Sequence, residues 1–176
     1  NLGVAILQQV KITFSGSVGY YCAGMIDGPD IEVKGSAGWG VAESMMGGTV
    51  VIRGNVGNGA AASIRGGSVI VHGQAAARLG VAMKGGMVMV RGDCGYMAGF
   101  MAQKGTLIVC GDTGGAFADS MYETVCFVGG RIGELGNDAV VETPTEFDLE
   151  FLKSVFSYHF TEVKNLQNFQ KVVSGR

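Results

Sequence analysis

The sequence predicts an all-β chain, a right-handed parallel β-helix with a C-terminal helical cap, and three observations predict it. Seven glycines, Gly16, Gly35, Gly54, Gly73, Gly92, Gly111 and Gly130, recur every 19 residues without a break. Stacking the sequence at that period gives columns that each keep one chemical character, as expected of a solenoid in which each coil's apolar face is buried only by its neighbours. The period stops after Gly136, where the pattern turns helical. About seven coils are expected.

Within each coil the first legible element is a strand. Ile12, Ile31, Val50, Val69, Val88, Leu107 and Cys126 form one apolar column; Phe14, Val33, Ile52, Val71, Val90, Val109 and Val128 form a second, two places on. A spacing of two puts both on one face of a strand, directed inward. Every coil runs in the same sense, so equivalent strands pair in parallel about 4.8 Å apart, with right-handed crossovers. Nineteen residues allow a circumference of at most about 60 Å, enough for three short walls around a filled interior.

Corners follow the strand. The residue after each periodic glycine is Ser17, Ser36, Asn55, Gln74, Asp93 or Asp112, a polar column able to hydrogen-bond along the axis. Two further columns are small: Gly19, Gly38, Gly57, Ala76, Gly95, Gly114 and Gly133, and then Ala23, Ala42, Ala61, Gly80, Gly99 and Ala118. Both read as tight corners where a larger side chain would strike its copy on the next coil. Ile26, Met45, Ile64, Met83, Ala102 and Met121 supply an apolar column for a second wall.

The division expected is residues 1–142 for the repeats and 143–176 for the cap. Thr143-Pro144-Thr145-Glu146 reads as a capping box with proline at the first helical position, which starts a helix near Pro144. Leu149, Leu152 and Phe156 recur at helical spacing beside Phe151, Val155 and Tyr158, too much apolar surface to face water. A second short helix is expected from Val163 to Val173, where Leu166, Phe169 and Val172 recur every three residues. The solenoid's open edges need covering, and this tail is the expected cover.

Composition narrows the function. With 31 glycines in 176 residues and 47% hydrophobic content, the chain is too apolar for disorder, so its glycines are positional, placed where the backbone needs positive φ or very close approach. Thirteen basic against 15 acidic residues, net charge −2 and no basic block argue against nucleic acid as a partner. No apolar run approaches the roughly 18 residues of a membrane span, and Asn1-Leu2-Gly3-Val4 does not open a signal peptide, so the expectation is a cytoplasmic protein without a membrane partner. A start other than Met fits a fragment or domain of something longer. Cys22, Cys94, Cys110 and Cys126 show no metal-ligand spacing and are expected to be thiols.

Catalytic constellations are thin. Gly57-Asn58-Gly59-Ala60-Ala61-Ala62 can be laid on a dinucleotide fingerprint, but that motif belongs between a strand and a long helix, so these read as corner glycines. No P-loop occurs. The histidines are His72 and His159, and His72 stands in an outward column with Lys34, Arg53, Arg91 and Cys110. Lys34, Arg53, His72 and Arg91 would repel one another one strand apart, which acids or a partner can relieve. Two readings stay open: side chains splayed into water, or a face that docks on an acidic surface. Cys126 lies in an inward column and reads as a small hydrophobe, with Cys110 the more exposed thiol.

The phrases Gly47-Gly48-Thr49-Val50-Val51-Ile52-Arg53-Gly54-Asn55-Val56-Gly57 and Gly85-Gly86-Met87-Val88-Met89-Val90-Arg91-Gly92-Asp93-Cys94-Gly95 resemble the repeats of the GXGXG domain, the C-terminal β-helix of the glutamate synthase large subunit. The resemblance runs from about Gly16 to Gly136. The repeat also occurs in stand-alone subunits of glutamate-synthase-like complexes, including N-methylglutamate synthase, and in one of the subunits of formylmethanofuran dehydrogenase.

The resemblance implies a non-catalytic scaffold in an oxidoreductase complex of nitrogen metabolism. Its implied partners are a glutamine amidotransferase subunit, which releases ammonia, and a synthase subunit carrying FMN and an iron-sulfur cluster. No catalytic residue, metal ligand or cofactor is expected in this chain. The alternative is a scaffold of the formylmethanofuran dehydrogenase type. A β-helix acyltransferase would need six-residue repeats, and 19 is not a multiple of six.

Overall fold

The computed structural model describes residues 1–159, 162 and 165–176. Seven strands stack in chain order: β1 (Lys11–Phe14), β2 (Asp30–Val33), β3 (Thr49–Ile52), β4 (Ser68–Val71), β5 (Lys84–Val90), β6 (Lys104–Val109) and β7 (Glu123–Val128). All six pairings between them are parallel and hold the 19-residue register, Ile12 beside Ile31, Val50 beside Val69, Leu107 beside Cys126. One irregularity falls between Lys84 and Met87, where β5 and β6 shift register. A second ladder of single bridges runs Val18, Ala37, Val56, Ala75, Cys94, Thr113, Ile132, two residues past each periodic glycine. The chain is a parallel β-helix, as the columns require.

The inward strand columns are solvent-free from β2 onward, and only Ile12 and Phe14 at the first coil are partly exposed. They meet the predicted column of Ile26, Met45, Ile64, Met83, Ala102 and Met121, all buried, in one continuous core. The interior is filled by side chains.

From Gly35 to Gly130 the periodic glycines are needed for close approach, not for positive φ. A Cβ on Gly54 would meet Ser36 Oγ, and one on Gly73 would meet Asn55 Oδ1. These intruding atoms belong to the polar column, which forms an axial ladder. Ser36, Asn55, Gln74 and Asp112 each donate a backbone N–H, at 2.8–3.0 Å, to the side-chain oxygen of Ser17, Ser36, Asn55 or Asp93 on the coil below. The three-place column behaves as expected too: a Cβ on Gly57 would stand 2.6 Å from Trp39 Cδ1.

The column of Ala23, Ala42, Ala61, Gly80, Gly99 and Ala118 is not a corner. It sits inside a third wall in which residues five, seven and nine places after the periodic glycine take positive φ: Gly40 at 68°, Ala42 at 58° and Ser44 at 55°, repeated coil after coil. Each left-handed non-glycine costs roughly 1 kcal/mol. Hydrogen bonds to both neighbouring coils offset this, from Ala42 N–H to Cys22 O below and Ser44 N–H to Ala62 O above, both 2.8 Å. The alternation lets two consecutive residues point inward. A column absent from the sequence reading, Cys22, Val41, Ala60, Leu79, Ala98 and Phe117, is therefore buried next to the small one.

Past the repeats come β8 (Ala139–Glu142), helix α1 (Glu146–Tyr158) and β9 (Gln170–Ser174). The helix starts two residues later than Pro144. Thr145 is the N-cap, accepting from Asp148 N–H at 3.2 Å, while Asp148 Oδ2 accepts from Thr145 N–H at 2.8 Å. The box is therefore Thr145 with Asp148 rather than Thr143 with Glu146, since proline at 144 precedes the cap. The second helix is corrected likewise. Residues 163 and 164 lie outside the described residues, Leu166–Asn168 form a single 3-10 turn, and Val172 and Val173 lie in β9. The unpaired edge of β7 offers hydrogen bonds that the β-branched pair accepts more readily than helix.

The tail covers the last coil, as a solenoid end demands. β9 pairs antiparallel with β7, Cys126 beside Val172, and with β8 on its other side. Helix α1 lies instead on the outer face of the strand wall, where Leu152, Val155 and Phe156 pack with Phe169 on Ile70, Met89, Ile108 and Phe127. Lys171 Nζ, on β9, ties to Asp148 Oδ2 at 3.1 Å. No described helix is long and apolar enough to cross a membrane.

Candidate docking faces

The outer strand column splits in two. From Ile70 to Phe127 it is apolar and covered by α1; before that it reads Thr13, Glu32 and Val51, of which Thr13 is exposed, Glu32 is half-buried and Val51 packs against the margin of the covered cluster. The C-terminal end of α1, at Ser157, Tyr158 and His159, overhangs the bare part and leaves a groove of about 630 Å³. Its walls carry Lys11, Asp30, Glu32, Arg53 and His72, charges of both signs.

Of the predicted cation column, Arg53 and His72 line this groove, and Lys34 and Arg91 stand outside it. Lys34, Arg53 and Arg91 are exposed and His72 is half-buried. Arg53 Nε donates to Glu32 Oε1 at 2.8 Å, and its Nη1 lies 3.1 Å from His72 Nε2. A guanidinium has no acceptor, so this nitrogen of His72 accepts and the proton of a neutral ring sits on Nδ1. Burial lowers the His72 pKa, and Arg53, Arg91 and His159 lower it further against the pull of Glu32. Burial also lowers that of His159. The repulsion within the column is thus relieved twice, by an acid from the neighbouring column and by a histidine held neutral. Among the described residues Lys34 and Arg91 make no ion pair, which leaves them free to meet one.

Nothing brings a nucleophile to His72: among the described residues no hydroxyl or thiol hydrogen-bonds to it. All four cysteines are free thiols. Burial pushes Cys94 up to about 12 and Cys110 up to about 12, the latter despite Arg91 nearby, and raises Cys126 further still. Thiols so placed carry almost no thiolate at neutral pH. Cys126 is an inward hydrophobe whose Sγ touches Met121 Sδ at 3.9 Å, and Cys110 is the least buried of the four. The described residues hold no group of three or more His, Cys, Asp or Glu able to bind a metal ion. Gly57 to Ala62 run from a corner into the third wall, with no helix after them.

A second face went unread in the sequence. Outside the third wall Tyr20 stacks on Trp39, ring centroids 5.6 Å apart, and Tyr96 stands farther along the same column, each more than half exposed. Between Trp39 and Tyr96 lies a shallow trough of about 460 Å³ floored by Asn58, Gly59, Ala62 and Ala77. Exposed aromatic side chains four places after the periodic glycine were its available signal, since contiguous exposed apolar surface marks contact with another macromolecule.

A solenoid of parallel coils whose interior is filled by its own side chains defines the structural class, a parallel β-helix. The chain belongs to the GXGXG motif family, whose model matches residues 3–173. No curated protein matches it.

Proposed function

We propose that this chain is a non-catalytic scaffold of a glutamate-synthase-like oxidoreductase complex, holding a glutamine amidotransferase and a synthase unit with FMN and an iron-sulfur cluster at a fixed separation. The observation that carries it is the family match over nearly the whole chain, since GXGXG domains are associated with glutamate-synthase-like proteins. The filled interior and the suppressed thiols support a role through outer surfaces. From β1 to β7 the rod spans about 29 Å, six steps of about 4.8 Å, and its register is fixed by every pairing. Such stiffness suits aligned active centres, where displacement by a single ångström is expensive in rate.

The test is co-expression with candidate amidotransferase and flavin subunits, followed by native mass spectrometry. A ternary complex is expected, with flavin and cluster absorbance following the synthase subunit. A coloured chain on its own, or no complex, overturns the proposal. Inserting one extra 19-residue coil between β3 and β4 should leave each half-reaction intact and lower glutamine-dependent synthesis relative to synthesis from free ammonia. Reversing Lys34 and Arg91, which make no ion pair among the described residues, to glutamate should weaken assembly without lowering thermal stability.

A further inference from the structure

The exposed aromatic column carries an order of its own. Four places after successive periodic glycines stand Tyr20, Trp39, Asn58, Ala77 and Tyr96: two rings, two short side chains and a ring. Tyr20 and Trp39 lean toward the following coil, where a Cβ on Gly38 would meet Tyr20 Cδ1 at 2.7 Å and one on Gly57 would meet Trp39 Cδ1 at 2.6 Å. Their centroids lie 5.6 Å apart, close to one coil step of about 4.8 Å. Between Trp39 and Tyr96 the ladder of rings skips two steps, a span of about 14 Å from ring to ring. The trough of about 460 Å³ occupies that interval, and all three rings are more than half exposed.

The interval is two ring places long, and Tyr20 with Trp39 is a pair of rings one place apart. Turned end for end, the column sets two rings against two short side chains, and two short side chains against two rings. It is therefore complementary to itself about a dyad perpendicular to the rod. Inserted from both sides, the rings form one stack in the order partner's Tyr96, Tyr20, Trp39, partner's Trp39, partner's Tyr20, Tyr96. The charges agree. Glu43 and Arg78 line the same trough, two coils apart, and neither makes an ion pair among the described residues. The dyad brings each to within one coil step, measured along the rod, of its opposite on the other copy.

We propose that this face is a self-association surface, joining two copies into an antiparallel dimer by mutual insertion of Tyr20 and Trp39 between the partner's Trp39 and Tyr96. A dyad closes after two copies, whereas the same insertion between parallel rods would run on into a filament. Six rings giving up about 100 Å² each bury roughly 600 Å² before the flanks are counted, the scale of a transient association. The inference goes beyond the scaffold reading and is tested on the chain alone, so either can fail without the other.

In sedimentation the mass of the full chain should rise from 18.2 kDa toward twice that value as its concentration approaches about 1 mM. Emission from Trp39, the only tryptophan in the sequence, should move to the blue in step. Ala77→Tyr puts a ring into the gap, and Gly95, one coil on, leaves beside it the room that Gly38 and Gly57 leave beside Tyr20 and Trp39. This variant should lose self-association and keep its melting temperature. Tyr20→Ala with Trp39→Ala, which removes the inserting pair, should lose it as well. Mixed, the two variants should pair with each other, since one keeps its rings, the other keeps its gap, and the new ring takes the place of the deleted Tyr20. Only one of them retains Trp39, so the blue shift reports that pairing directly. A chain that stays monomeric at about 1 mM, association that survives Ala77→Tyr, or a mixture that fails to pair would each overturn the proposal.

Discussion

Ser17 Oγ occupies the place a Cβ on Gly35 would need, and it is there because it accepts a hydrogen bond from Ser36 N–H at 3.0 Å. The glycine period and the polar column are therefore one device seen twice: Gly35, Gly54, Gly73, Gly111 and Gly130 each make room for the side chain that caps the residue after them. Gly35→Ala should accordingly destabilise the fold by about 1–3 kcal/mol, the usual cost of overpacking. Gly16→Ala should cost nothing or gain about 0.5 kcal/mol through the unfolded chain. Urea titrations of the two variants check this; equal losses would mean that backbone conformation, not close approach, selects the glycine.

The same device predicts coupling between Asn55 and Gly73. Asn55→Ala removes the acceptor for Gln74 N–H, costing about 1 kcal/mol. It also removes the atom nearest a new Cβ at residue 73, although Gly54 O, 2.6 Å away, remains. The double variant Asn55→Ala, Gly73→Ala should thus be less destabilised than the two losses combined, by about 1 kcal/mol. Strict additivity in a double-mutant cycle would break the link between the two columns.

Asp148 joins the start of α1 to β9. Burial pushes its carboxyl up, but the Thr145 N–H and hydroxyl and the Lys171 ammonium outweigh that and hold it below the usual range. A depressed carboxylate stabilises the fold at pH above its unfolded value and loses that contribution as pH falls through the folded one. Asp148→Asn should cost about 2 kcal/mol near neutral pH and flatten the stability profile below about pH 4. Thermal melts of both proteins across that range provide the measurement.

His72 and His159 give a second pH window. Both are lowered from the ordinary histidine value, so the unfolded chain takes up protons first and stability falls as pH drops below about 6.5. His72→Gln should reduce the slope of melting temperature against pH between about 7 and 5. An unchanged slope would place the proton uptake elsewhere.

Much of the fold was legible because the repeat averages out accident: one valine is ambiguous, but Val50, Val69 and Val88 at one interval are not. The third wall stayed hidden because left-handed residues there are alanine, serine, methionine and tyrosine as well as glycine, and side-chain identity carries no signal of positive φ when hydrogen bonds to two coils impose it. The place of α1 was legible and missed. Ile70, Met89, Ile108 and Phe127 make the strands apolar on both faces, a pattern that requires a cover, whereas Thr13 and Glu32 mark where the cover stops. The cation column was readable by residue, but the Glu32 contact that relieves Arg53 comes from the neighbouring column and needed coordinates.

The reversed polarity of β9 has a consequence for solubility. Identical strands stacked in parallel and in register are the geometry of a fibril, able to recruit further chains at an exposed end without limit. β9 breaks that run by pairing antiparallel to β7, and β8 at the edge runs in the sense of β7 again but is only four residues long and ends on the charged Glu142, which blunts it against further pairing.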